Sequence, residues 1–517
     1  MKRRSFLRHA IHSLAVPGVV GSMGFSMPSG RSMQNLLRLA ADSDKALVMI
    51  FLEGGNDGLN TLIPLNRLSE LNELRPHVAL KDNELLGLSK SEVALHPSLK
   101  GLKNLYDEHR LQIIQNVGYP EQNFSHFRST DIWMSGSESN QIVSSGWVGR
   151  KLEIDFPNYP AEFPNEDMKD PLSVEIGYGS SLLFQGVGSS MSVTLNSVDS
   201  FYELVENIEQ EAPDSPAGDK LKYIRLIAKQ SQLYGERIVE VAAKVNNHVQ
   251  YPSNNYLADQ LKVVSKLIAG GSRTPLYLVR IGGFDTHDSQ VEQENHSIGE
   301  HASLLTRLDE GISAFMSDLE LHGVDDKVLG MTFSEFGRRI VSNASLGTDH
   351  GSAAPMFFFG NKVRGGVLGS NPVIDNQMTY YDNLSYQYDF RQLYGSVLEQ
   401  WFGVDAGTRS NVLFNDFDTL DIIGDPILST EPRSKTNALL VYPNPLNGMA
   451  TVQFDGDGKS VSISLVDLQG RNMAEIFNGV SKPGINKINW NSASIQPGRY
   501  FILKQTKRGR EAFSVTK

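Results

Sequence analysis

Four short motifs carry carboxylates and imidazoles in patterns suited to a divalent cation. They are Gly54-Gly-Asn-Asp-Gly58 around Asp57, Gly283-Phe-Asp-Thr-His287 with Asp285 and His287, Ser334-Glu-Phe-Gly337 with Glu335, and Gly347-Thr-Asp-His-Gly351 with Asp349 and His350. Carboxylate and imidazole are hard-to-borderline ligands, the kind taken by zinc, magnesium or calcium. Asp285 and His287 are two residues apart, so an extended chain directs both to one side as a two-point clamp. Asp349 reads either as a ligand or as the partner that orients an imidazole. Three of the motifs also have a plainer reading: an Asn-Asp-Gly turn at Asp57, a satisfied Asp–His pair at 285 and 287, an ion pair between Glu335 and Arg338.

A nucleophile is best sought in Asn123-Phe-Ser-His-Phe-Arg128. Ser125 adjoins His126, and a serine hydroxyl needs a nearby base or metal to react. His126 is equally a candidate to touch metal or substrate. Arg338 could receive an oxyanion bidentately while Glu335 binds metal. His301 lies in helical surroundings and reads as structural.

Three of the motifs follow strand-like apolar runs, 46–52, 275–281 and 328–333. In an open α/β sheet, side chains just past the carboxyl ends of several strands converge. Helical spacing of apolar residues marks 202–208, 220–245, 256–269, 301–321 and 388–402. Strands alternating with helices predict an α/β domain over 44–424, a mostly parallel sheet covered by helices. A polar linker, 425–437, follows. Over 438–517, short alternating runs separated by Gly, Asn, Asp and Pro predict a small antiparallel β-sandwich.

The 517 residues exceed what one core usually fills. A net charge of -11 without a Lys/Arg-rich run excludes sequence-independent nucleic-acid binding. The chain has no cysteine, which excludes disulfides, thiolate metal sites and a cysteine nucleophile. Residues 1–43 open with Met1-Lys-Arg-Arg-Ser-Phe-Leu7 and a weakly apolar stretch to Phe25, the pattern of a twin-arginine export signal and linker. That stretch is too short and Gly/Ser-rich to span a bilayer, so no transmembrane segment is expected in the mature chain.

Two resemblances follow from these motifs. Val441-Tyr-Pro-Asn-Pro445, Leu465-Val-Asp-Leu-Gln-Gly-Arg471 and Pro497-Gly-Arg-Tyr-Phe-Ile-Leu-Lys504 resemble the C-terminal sorting domain of type IX secretion in Bacteroidota. This implies passage through the periplasm by the twin-arginine and type IX machineries, then release or display at the cell surface. The motifs at 47–60, 125–127, 283–287, 334–338 and 347–351 resemble an exported bacterial domain-of-unknown-function family, 1501, within the alkaline-phosphatase/sulfatase-like superfamily. That resemblance implies an alkaline-phosphatase-like sheet, one or two divalent ions and a group-transferring nucleophile. By it, Asp57, Asp285, His287, Glu335, Asp349 and His350 are expected at the metal, and Ser125 where a nucleophile is sought. Phe336 stands where the superfamily has a histidine ligand, and Glu335 replaces an aspartate. The implied activity is hydrolysis of a phosphate or sulfate ester, on a small ester or a surface polysaccharide. The alternative is a non-catalytic surface or binding protein that keeps the fold.

Overall fold

A computed structural model describes residues 45–177, 179–195, 215–424 and most of 440–517. The expected export signal, the helix at 202–208 and the linker at 425–437 lie outside these residues. The chain forms two compact units, Met1–Ile427 and Leu428–Lys517.

The larger unit is built on a sheet of β1 (Ala46–Glu53), β2 (Leu111–Gly118), β3 (Val174–Ile176), β4 (Val193–Leu195), β5 (Leu276–Gly282), β6 (Val328–Phe333), β7 (Ala354–Phe359), β8 (Gly366–Leu368) and β9 (Tyr388–Asp389). Their spatial order is β8-β2-β7-β6-β1-β5-β3-β4, with β9 also on β2. Strand β7 runs antiparallel to its neighbours β2 and β6, and the other pairings are parallel.

Strand β1 shows why the sheet needs cover on both faces. Its alternate side chains Val48, Ile50 and Leu52 enter one core, and Leu47, Met49 and Phe51 enter another. A strand apolar at every position is stable only between two layers. The first layer is α1 (Lys100–Asp107), α2 (Pro216–Ala242), α3 (Tyr256–Ala269) and α4 (Glu300–Leu321). On α4, Leu304, Leu305, Leu308, Ile312, Phe315 and Leu319 are all buried. The opposite layer includes the helices His126–Ser135, Trp147–Asp155 and Phe390–Ser396, with Trp133, Trp147, Phe390 and Tyr394 stacked together. This is the mostly parallel, doubly covered α/β sheet that the sequence predicts. No helix among the described residues is long and apolar enough to cross a membrane.

The smaller unit has two antiparallel sheets, one of Leu440–Tyr442, Met449–Gly456 and Gly484–Asn491, the other of Ser460–Val466, Asn472–Val480, Arg499–Thr506 and Gly509–Thr516. Val452, Phe454, Ile463, Leu465 and Ile502 share one core. It is the expected antiparallel β-sandwich, with Ser460, Ser462 and Ser464 on the outward side of Ser460–Val466.

In the larger unit β6, β1 and β5 lie side by side in parallel register, with Phe51 opposite Phe333 and Glu53 opposite Gly282. Their carboxyl ends therefore leave the sheet at one edge, and the next residues of each are the motifs singled out above.

Candidate metal centre

The chain must turn sharply where it leaves β1, and Gly54 and Gly55 have φ of 120° and 84°. A Cβ at Gly54 would lie 2.3 Å from the Asp285 nitrogen, and one at Gly55 would lie 2.4 Å from the Phe336 ring. Only glycine allows this positive φ and this approach, so the three strand-end loops pack directly on one another. Past β6 the chain forms a short antiparallel ribbon that pairs Arg338 with His350, which carries His350 to the same edge. The loop after β2 ends at Ser125, the N-cap of the helix that begins with His126.

Four side chains converge there. His126 Nε2 lies 3.3 Å from Asp285 Oδ2, and His350 Nε2 and His287 Nε2 each lie 3.1 Å from Asp285 Oδ1. The two imidazole nitrogens, His287 Nε2 and His350 Nε2, are 2.9 Å apart. One ligand atom from each of His126, Asp285 and His350 falls within 4.8 Å of the others. Asp285, His287 and His126 are partly open to solvent, as a reactive centre requires.

The other ring nitrogens fix the tautomers. His350 Nδ1 lies 2.8 Å from the Phe124 carbonyl, which can only accept, so Nδ1 carries the hydrogen. His287 Nδ1 donates to Asp349 Oδ1 at 2.6 Å, and His126 Nδ1 to Glu335 Oε1 at 2.9 Å. In neutral imidazoles all three Nε2 atoms then present lone pairs, to one another and to an anionic carboxylate. Such a donor set is repulsive until a cation or protons intervene, and carboxylate–imidazole pairing of this kind is how proteins orient metal-binding histidines. The residues fit a divalent ion.

The charges agree. Burial acts to raise the pKa of Asp285, but the hydrogen bond and positive charge of Arg338 lead the opposing influences and the group is held at about 2. The hydrogen bond to Glu335 raises His126, whereas burial lowers His350. Asp349 stays below the usual carboxylate range: burial opposes this, and the Tyr380 and His287 hydrogen bonds prevail.

The remaining expected residues occupy different places. Asp57 is fully buried and spends its carboxylate on Arg75, on Gln290 Nε2 at 2.6 Å and on the Leu59 N–H at 3.2 Å. Glu335 accepts from the Gly54 N–H at 2.8 Å as well as from His126. Glu335 and Asp349 thus each grip the outer nitrogen of an imidazole. Arg338 is 1% exposed and donates to the carbonyls of Gly55, Thr348, Gly54 and Phe284 and to Asp285 Oδ1. It ties the loops to one another and to Asp285 rather than facing solvent. Ser125 is exposed; its N–H bonds Asn123 Oδ1 at 2.9 Å, and its hydroxyl makes no capping bond to the helix. Phe336 is buried against the His350 and His126 rings, with centroids 4.4 and 5.0 Å away, and forms the floor of the centre. The sequence signal for His126 was only its adjacency to Ser125. Tyr380, whose hydroxyl bonds Asp349, and Gln290 had none.

Residues 238–408 match the family described as "Protein of unknown function (DUF1501)", and residues 440–513 match "Secretion system C-terminal sorting domain". The chain carries both segments, and the second marks it as secreted or displayed at the cell surface. No curated protein matches the sequence. Among solved structures, the chain is similar to the PsFucS1 sulfatase from Pseudoalteromonas sp., at 11% identity over 92% of this chain and 91% of that one, with a TM-score of 0.34. It is also similar to a protein in the alkaline phosphatase superfamily from Vibrio parahaemolyticus, at 9% identity over 91% and 90%, with a TM-score of 0.33. At such identities the likeness stops short of individual residues.

Proposed function

We propose that the protein is an exported metal-dependent hydrolase of phosphate or sulfate esters. The observation that carries this reading is the set of three imidazoles and one carboxylate whose lone pairs face a common point at the edge of the sheet. His126, Asp285 and His350 would hold one divalent ion, and His287 lies beside them, its Nε2 3.1 Å from Asp285 Oδ1. When bound, such an ion supplies Lewis acidity, which offsets charge developing on the transferred group and favours ionisation of an attacking oxygen.

The chain's own groups do the rest. Glu335 and Asp349 keep the protons of His126 and His287 on Nδ1 and so aim Nε2 inward. Arg338 keeps Asp285 ionised and in place. Ser125, exposed and adjoining His126, offers the hydroxyl that would take the transferred group.

Metal content and hydrolysis of aryl phosphates and aryl sulfates test this reading. The purified chain should carry about one ion and turn over one ester class, and removal of the ion by a chelator should abolish turnover. Metal-free protein, or loaded protein inert toward both classes, would defeat it. Ser125→Ala separates the routes: loss of turnover with metal retained assigns the serine, and persistence assigns water.

A further inference from the structure

We propose that Arg339, with Tyr380 and Tyr381, forms a flanking subsite for a second anionic group of the substrate, so that the ester cleaved at the centre belongs to an anionic oligosaccharide. This deepens the hydrolase reading and rests on it for the role of the first anion.

Arg339 follows Arg338 in the ribbon, and alternation sends its side chain the other way. Its Nε donates to the His350 carbonyl at 3.2 Å, and Nη1 donates to the Tyr380 carbonyl. The guanidinium lies 4.6 Å from the Tyr380 ring centre and 5.8 Å from that of Tyr381. Two carbonyls and two rings thus fix it without neutralising it. Among the described residues no carboxylate pairs with Arg339, and its Nη2 bonds to none of them. Arg338, its neighbour in sequence, and Arg75, which donates to the Arg339 carbonyl, are both tied to carboxylates.

The acidic groups around it are already engaged. Asp349 gives one oxygen to His287 and the other to Tyr380. Asp382 accepts from the N–H and hydroxyl of Thr379 at 2.7 and 2.8 Å. An ordered guanidinium with free N–H groups is a bidentate receptor for sulfate or phosphate oxygens.

Its position makes it a neighbour of the centre and not a part of it. A chain of contacts links the two: the guanidinium lies over the Tyr380 ring, the Tyr380 hydroxyl bonds Asp349, and Asp349 bonds His287. A substrate that carries a second anionic group beside the reacting one can use the guanidinium and the centre together. The ring of Tyr381 is 80% exposed beside the guanidinium. Such a face packs on a sugar ring at little entropic cost. The net charge of -11 gives no general attraction for polyanions, so affinity for one must come from a local receptor.

The test is calorimetric titration of the metal-loaded full chain at physiological salt, with a sulfated tetrasaccharide and with glucose 6-sulfate. The wild type should bind the tetrasaccharide more tightly. Arg339→Gln should shrink that preference on the order of tenfold or more, the scale of a lost charge-assisted contact. Arg339→Lys should restore only part of it, and Tyr381→Ala should weaken the tetrasaccharide more than the monosaccharide. A wild type without the preference, or an Arg339→Gln protein that keeps it in full, overturns the subsite. If the preference depends on Arg339 while every ester is inert, the subsite stands and the hydrolase reading falls. Turnover with no Arg339-dependent preference is the reverse outcome.

Discussion

Two clusters that each join a carboxylate to histidine lie past the strand ends of one sheet, and they end in opposite states. The lower one holds Asp57, Arg75, Gln290, Asn56 and His301, all buried. Its carboxylate has an arginine, its arginine also donates to the carbonyls of Arg339 and Ile340 at 2.8 and 3.0 Å, and His301 Nε2 donates to Asn56 Oδ1 at 3.0 Å. The upper one holds Asp285, His126, His287 and His350; there the protein supplies Arg338 to one oxygen of the carboxylate and partners to the outer nitrogens, and leaves the inward Nε2 atoms without a protein donor. A buried charge must be matched within the fold, whereas a half-open one can be left for a ligand. An acidic motif after a strand therefore predicts the meeting point and leaves its occupant undecided. What decides is whether the fold fills every donor and acceptor of the cluster, as it does around Asp57, or leaves inward-facing lone pairs, as it does on the three imidazoles.

Substitutions can break this contrast. The largest effect is expected from Asp285→Ala combined with His350→Ala, which removes two of the converging ligands. Metal affinity should fall by more than the roughly 100-fold loss that follows removal of an outer partner. Full metal content measured by elemental analysis would show that the cluster is not the site.

Asp57→Ala should act on folding. It leaves Arg75 buried and unpaired, at a cost of about 3–5 kcal/mol, read by denaturant unfolding. If stability is kept and metal is lost, Asp57 belongs to the upper cluster after all.

Asp349→Asn and Glu335→Gln remove only the grip on Nδ1. A loss of roughly 10–100-fold in metal affinity is expected from each, with the fold intact. No loss in either would mean the imidazoles are oriented by packing alone.

The most gradual effect is a slope with pH. Burial pushes His301 down to about 4 from 6.5, and His96 to about 3. A histidine whose folded pKa lies below its unfolded one takes up a proton on unfolding, so its contribution is present above pH 6.5 and is lost as pH falls toward about 4 for His301 and about 3 for His96. Each should cost up to about 1.4 kcal/mol per pH unit in that window. His301→Gln should flatten the dependence of unfolding free energy on pH, and an unchanged slope would refute the assignment.

Much of this was legible beforehand. The continuous apolar run at 46–52 could only be a strand between two layers, and the spacing at 256–269 gave the observed helix end to end. Alternation likewise exposed the sandwich strand at 460–466. The strand-end motifs announced where the site would be. Their division of labour was not legible, because it depends on contacts between distant segments. Arg75 reaches Asp57 across a loop, and Glu335 meets His126 from 209 positions away. Arg338 gave the same sequence signal whether it faced solvent or four carbonyls.

That last arrangement has a dynamic consequence. One guanidinium holds the carbonyls of Gly54, Gly55, Phe284 and Thr348, which belong to three separate loops. None of those loops can lift away without stranding a buried cation, so they are bound to open together or not at all. In native-state hydrogen exchange their amides should behave as a single cooperative unit, one step more stable than surface turns of similar length.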